Sequence, residues 1–150
     1  MLKLEISCEI KRPVEEVFAY LTDPANVPEW NTAVLECSSE PPGQTRVGSK
    51  FHIVSRILGR RFESTAEVTE LVPNRKLVQM TNSPFPLEWA YLTEPTAGGT
   101  KVSLEGIAEP AGFFKLAGPA LGRITKKQLQ AQLDTMKELL EAREPAQVGN

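Results

Sequence analysis

Seven short segments of this chain have the character of β-strands, and the last six follow one another with only turns or short loops between them. In the first segment, "LKLEISCEI" at residues 2–10, apolar residues alternate with Lys, Glu and Ser, as in a half-buried strand. The other six are residues 32–40, 49–57, 61–72, 76–82, 86–94 and 100–109. Parallel neighbours would need crossovers of about a dozen residues or more, so these connections predict an antiparallel sheet.

One stretch between the first and second strands breaks this period of two. It reads "RPVEEVFAYLTDPANVPEWN" at residues 12–31 and is called the elbow below. Pro13 suits the first turn of a helix, and Val17, Phe18 and Leu21 provide an apolar face. Asp23-Pro24 ends that helix and can cap a second one. The elbow is therefore predicted to be a pair of small helices.

The C-terminal part, from about residue 113 to residue 143, has a helical pattern. Leu129, Leu133, Met136 and Leu140 recur at spacings of four, three and four. Gly118-Pro119 either kinks this helix or marks its start. Residues 145–150 are expected to form a disordered tail, which leaves residues 1–144 as one domain.

A second apolar row on this helix lies about a quarter turn from the first, given about 100° per residue. It consists of Phe114, Ala117, Leu121 and Ile124. One interpretation is that the second half of the helix packs on the sheet while the first half covers something else. The alternative is an apolar stripe that merely wanders.

The order of elements predicts an α+β fold, in which a seven-stranded curved antiparallel sheet wraps one long C-terminal helix and two short helices follow the first strand. A single helix can cover the apolar face of such a sheet, but it cannot fill the concavity from end to end. We therefore expect a cavity, with the elbow closing one end.

Composition and charge limit the kinds of molecule that the protein is expected to bind and the compartment in which it is expected to lie. The net charge of −2 argues against nucleic acid, whose phosphates need concentrated positive charge. The sequence has no apolar run of the roughly 18 residues that a membrane span needs, and no signal-peptide pattern, so we expect a cytoplasmic location. Cys8 and Cys37 are then expected to be reduced thiols. With one histidine and no CxxC, we expect no metal site and no cofactor.

Five loose motifs in this order resemble the SRPBCC or START-like helix-grip superfamily, and most closely its polyketide cyclase/dehydrase branch, which includes coenzyme-Q-binding and lipid-transport-like members. They are the elbow, "VGSKF" at 47–51, "TELVPNRKL" at 69–77, "GGTKVSLE" at 98–105 and "LDTMKELLE" at 133–141. The resemblance implies that the elbow is the lip of a ligand cavity. It also implies binding or transport of a hydrophobic small molecule, such as a lipid, an isoprenoid or an aromatic polyketide-like compound.

The candidate pocket residues come from the elbow, from inward positions of four strands and from the first half of the last helix. They are Trp30, Phe51, Ile53, Ser55, Phe62, Ser64, Ala66, Trp89, Tyr91, Val102, Leu104, Gly106, Phe114, Ala117, Leu121 and Ile124. Trp30 has a competing role in holding the elbow to the sheet. Ser55, Ser64 and Gly106 have the alternative of lying in the open near strand ends. Alternation does not decide whether Gln79 or Met80 faces inward: Gln79 is expected to face solvent, and the alternative is that it faces inward and orients a polar ligand head.

No residue is assigned a catalytic role. Alternation turns His52 outward, and no nucleophile accompanies it. An enzyme of the cyclase or dehydratase kind, with Tyr91 and then Ser64 as first suspects, is the alternative function. A protein-interaction module of the chaperone-activator kind is a third. The oligomeric state is left between a monomer and a weak dimer.

Overall fold

The computed structural model describes residues 2–57, 59–82, 86–108 and 118–143. Its strands form one antiparallel sheet of seven, in the order β1-β7-β6-β5-β4-β3-β2. Their bounds are β1 Leu2–Ile10, β2 Val34–Glu40, β3 Lys50–Ile57, β4 Arg60–Val72, β5 Lys76–Thr81, β6 Leu87–Thr96 and β7 Gly99–Ala108. Every predicted strand is present within a few residues of its expected bounds, and the predicted α+β helix-grip class is confirmed.

The elbow folds as predicted into short helices between β1 and β2. Helix α1 covers Val14–Thr22, a 3₁₀ turn covers Pro24–Asn26, and α2 covers Val27–Trp30. The Asp23 carboxylate accepts a hydrogen bond from the Ala25 backbone N–H at 3.0 Å, which caps the 3₁₀ turn. This cap sets the bend that carries α2 back over the sheet.

Arg12 ties the start of the elbow to the residue that follows the last helix. Its guanidinium, which is 8% exposed, donates two 2.7 Å hydrogen bonds to the Glu16 carboxylate and one of 3.1 Å to the Arg143 carbonyl. The hydrogen bonds from Arg12 hold the pKa of Glu16 below its usual value. In this bidentate ion pair, the positive charge of Arg12 and the negative charge of Glu16 are each hydrogen-bonded to a group of opposite charge at a partly buried position.

The last helix, α3, spans Gly118–Ala142 and packs mainly on β1 and against α2. Its predicted apolar row is buried: Leu133, Met136 and Leu140 are 0% exposed and Leu129 is 9% exposed. Val102 and Leu104 of β7 belong to the same buried cluster. A second cluster, of Phe51, Ala66, Val68 and Leu77, lies on β3, β4 and β5.

Substituting Leu133 by Ala should lower the free energy of unfolding by about 2–5 kcal/mol, because it leaves a cavity in a fully buried row. Leu139→Ala on the same helix is the matched control, since that side chain is 39% exposed and should change stability by about 0.5 kcal/mol or less. Denaturant unfolding of both variants measures the difference. If the two substitutions lowered the free energy of unfolding equally, the row that contains Leu133 would not be the face of α3 that packs on the sheet.

Candidate ligand-binding cavity

A cavity of about 190 Å³ lies between the inner face of the sheet, the elbow and α3. All seven strands and the described helices contribute to its wall. The lining residues are Leu4, Leu21, Pro24, Val27, Asn31, Ala33, Val34, Cys37, Phe51, Ile53, Ser55, Ser64, Ala66, Leu77, Gln79, Thr81, Leu87, Trp89, Tyr91, Gly106, Ala108, Thr125, Gln128, Leu129 and Gln132.

The floor of the cavity follows from the pairing register of the strands. Residues directly opposite each other on paired strands point to the same face of a sheet. The pairs Phe51↔Ala66 and Ile53↔Ser64 therefore share the inner face on β3 and β4. On β5 and β6 the corresponding pairs are Leu77↔Tyr91, Gln79↔Trp89 and Thr81↔Leu87.

Gly106 makes room for the largest side chain in this floor. It lies opposite Trp89 in the β6–β7 ladder, and the indole ring lies over its Cα. A Cβ atom at residue 106 would lie 2.7 Å from Trp89 Cε3 and 3.0 Å from Cη2, and closer still to Cζ3. The absence of a side chain at Gly106 therefore determines where the Trp89 ring lies.

The polar groups of the cavity include two buried glutamines. Gln79 is 6% exposed and donates a hydrogen bond from Nε2 to the Tyr91 hydroxyl at 3.4 Å. Gln132 of α3 is 3% exposed. Within the described chain, the side-chain oxygens of both glutamines are buried without a hydrogen-bond partner.

The described residues of the cavity wall are uncharged near pH 7. Among the described residues that line it there is no Asp, Glu, Lys, Arg or His. The two titratable groups are Cys37, whose pKa is raised to about 11 by burial and then by the Asp23 carboxylate, and Tyr91, whose pKa burial raises well above its usual value. Both are protonated at neutral pH, so the described part of the wall carries no formal charge.

Half of the predicted pocket residues are in this wall. They are Phe51, Ile53, Ser55, Ser64, Ala66, Trp89, Tyr91 and Gly106. Ser55 is 8% exposed, so it does not lie in the open. A role for these side chains in holding a ligand belongs to the proposal below.

Trp30, Phe62, Val102 and Leu104 are not in the wall. Trp30 is 1% exposed and makes an edge-to-face contact with Tyr91, with ring centroids 6.4 Å apart, so it packs behind the cavity. Phe62 is half-buried on β4 beyond Ser64. Val102 and Leu104 face inward as predicted, but they pack in the cluster that contains the buried row of α3.

The structure corrects the prediction of which residues of the last helix face the cavity. Ile124 is 48% exposed and does not face the cavity; Thr125, Gln128, Leu129 and Gln132 do. The reason is the helical period: Thr125 and Gln132 lie on the face of Leu129, whereas Ile124 lies about 100° away from Thr125. Phe114 and Ala117, and the side chain of Leu121, lie outside the described part of the chain.

Gln79 was expected to face solvent, and this expectation is wrong. Alternation along the sequence of β5 did not decide which residues face inward. In the structure the consecutive residues Leu77, Val78 and Gln79 are all buried. The signal that could have found it is the hairpin register, because Gln79 lies opposite Trp89, which was correctly predicted to face inward. Cys37 and Gln132 were also missed, and no motif in the sequence singles them out.

His52 lies on the outer face, as alternation predicts, with its side chain 47% exposed. Its ring nitrogens lie 3.3 Å from Glu40 Oε1 and 3.3 Å from Thr65 Oγ1. In the described ranges, no three His, Cys, Asp or Glu side chains are grouped as ligands for a metal ion. No helix in those ranges is long and apolar enough to cross a membrane.

Solved structures from several bacteria share this architecture. A Thermus thermophilus protein has a TM-score of 0.77 at 15% identity, over 94% of this chain and 99% of that one. A Rhodobacter sphaeroides protein has a TM-score of 0.72 at 21% identity, over 95% and 94%. A Nitrosomonas europaea protein gives 0.72 at 20% identity, over 93% and 94%. At these identities the likeness shows the fold, which is that of the helix-grip class.

The sequence comparison defines the family. Residues 1–141 match the family described as polyketide cyclase/dehydrase and lipid transport, and the chain belongs to that family. A bovine protein named acyl-CoA-binding domain-containing protein 5 is 31% identical over 83 residues, which are 54% of this chain and 16% of that protein. The chain thus spans a small part of that relative.

Substituting Gly106 by Ala should displace the Trp89 ring, because the new methyl group would overlap it, and should destabilise the fold by about 1–3 kcal/mol. Gly98→Ala is the matched control, since a Cβ there meets nothing within 4 Å. Indole fluorescence and denaturant unfolding report the two effects. If Gly106→Ala matched Gly98→Ala in both, Trp89 would not lie over residue 106.

Proposed function

We propose that this protein binds or carries a hydrophobic small molecule in the cavity between the sheet, the elbow and α3. The observation that carries the proposal is a mostly apolar cavity of about 190 Å³ beside two buried clusters. Membership of a family described by cyclase/dehydrase and lipid transport supports the same role. We further propose a cytoplasmic location, which only the sequence suggests.

The size of the cavity supports a ligand of one or two rings, or part of a longer chain. An apolar cavity of about 150 Å³ in another protein is large enough for benzene. A bound apolar molecule would make contacts along the wall that the cavity leaves unmade without it.

A binding role is favoured over a cyclase or dehydratase because the described residues of the cavity wall include no acid–base pair. A proton shuttle works best with a group that titrates near the operating pH. Cys37 and Tyr91 have raised pKa values and stay protonated there. Tyr91 and Ser64 could orient a reactive ligand, but neither has a charged partner within the described wall.

The direct experiment is native mass spectrometry of the purified protein, followed by extraction and identification of any small molecule that it retains. A retained hydrophobic compound, or binding of added naphthalene by a protein stripped of its contents, is the expected result. A protein that retains nothing and binds no naphthalene would overturn the proposal.

Substituting Ala66 by Leu should weaken naphthalene binding by at least about tenfold, because the longer side chain projects from β4 into the cavity. Thr65→Leu, one residue earlier on the outer face, is the control and should leave binding unchanged. Calorimetric titration of both variants measures the difference. Equal binding by the two would place the ligand elsewhere on the molecule.

Naphthalene affinity should change less than about twofold between pH 6 and pH 9. The raised pKa values of Cys37 and Tyr91 keep both groups neutral throughout this range, so no charge develops in the wall until the pH approaches 11. The measurement is the same titration at several pH values. A midpoint within this range would mean that an ionising group borders the ligand.

A further inference from the structure

The two buried glutamines of the cavity have hydrogen-bonding capacity that the described chain does not use. Gln79 is 6% exposed and Gln132 is 3% exposed, and the side-chain oxygen of each is buried without a partner. A buried polar group without a partner is costly and uncommon in native proteins. Both side chains line the cavity from opposite sides, Gln79 from β5 and Gln132 from α3. A polar group on a ligand in the cavity can supply such a partner, as a bound water molecule also can.

Gln79 and Tyr91 together form a site with an unused hydroxyl donor and an unused amide oxygen as acceptor. The Tyr91 hydroxyl accepts from Gln79 Nε2 at 3.4 Å, so its own proton is left to donate, and the described chain offers no acceptor for it. The Gln79 oxygen is left to accept. Rotation of the amide by 180° exchanges its two ends, so the pair can serve a ligand donor, a ligand acceptor, or a hydroxyl that acts as both.

Among the described residues of the same site, no group could balance a charge. No Lys, Arg or His is among the described lining residues, and the two titratable groups are protonated at neutral pH. An ionised carboxylate or phosphate buried here would lose its hydration without gaining a cation. A neutral oxygen group would need only the amide and the hydroxyl.

We propose that the ligand is uncharged and carries a neutral hydroxyl or carbonyl group, which it places against Gln79 and Tyr91 while its apolar body fills the rest of the cavity. This inference rests on the proposed function and narrows it to neutral ligands with one anchored oxygen. Gln132 contacts the same molecule from the side of α3.

Three probes with the same two-ring body separate these possibilities: naphthalene, 2-naphthol and 2-naphthoate, each titrated calorimetrically at pH 7 into the full chain. We expect 2-naphthol to bind about tenfold more tightly than naphthalene, which is the size of one net hydrogen bond. We expect 2-naphthoate to bind at least tenfold more weakly than 2-naphthol, because its charge is not balanced.

Two variants test the anchoring residues. Gln79→Leu and Tyr91→Phe should each reduce the roughly tenfold preference for 2-naphthol over naphthalene to less than about twofold, where the two probes are compared within the same variant. Gln44→Leu repeats the first substitution at an exposed loop position and should change neither affinity. Tyr91→Phe keeps the ring that packs on Trp30, so it provides a test even where Gln79→Leu folds poorly.

The outcomes distinguish the two proposals. Equal binding of naphthalene and 2-naphthol, tightest binding of 2-naphthoate, or a preference that survives both variants would overturn the neutral anchored ligand while leaving the hydrophobic carrier in place. No binding of any of the three probes would overturn the carrier, and the narrower inference with it.

Discussion

The structure depends on one geometric constraint: a single long helix is narrower than the sheet that it covers. Helix α3 packs mainly on β1, and its fully buried residues, Leu133, Met136 and Leu140, form one cluster with Val102 and Leu104 of β7. On the other half of the sheet, β3, β4 and β5 have their own cluster. Between these regions the described helices border the apolar inner face of the sheet without filling the space above it, and a cavity results.

The elbow and the floor of the cavity hold in place the aromatic and polar side chains that line it. Trp30 of α2 packs on Tyr91 from behind, and Gly106 lets the Trp89 ring lie against β7. Tyr91 contacts both buried clusters, so the hydroxyl that meets Gln79 is carried on a side chain held from two sides. A rigid polar pair in an uncharged wall favours recognition of shape and of one neutral group over recognition of charge.

Much of the fold could be predicted from the sequence because its signals are local. Alternation located the strands, and the prolines of the elbow located the short helices. Inward positions on β3, β4 and β6 followed from the same alternation, so Phe51, Ile53, Ser64 and Trp89 were correctly placed on the inner face. The buried face of the last helix was harder to predict, because its apolar residues include both the buried row and Ile124, which is exposed.

The sequence by itself determined which residues could share a face, because that depends only on the period of two or of 3.6 along one element. Tertiary structure decided which part of each face meets the cavity and which part is covered. Val102 and Gly106 alternate on one strand, yet one packs in the cluster of α3 and the other borders the cavity. Gln79 faces inward because β5 pairs with β6 in one register, and Gln132 borders the same cavity because α3 docks at one rotation. Both are relations between elements distant in the chain, and no local pattern encodes them.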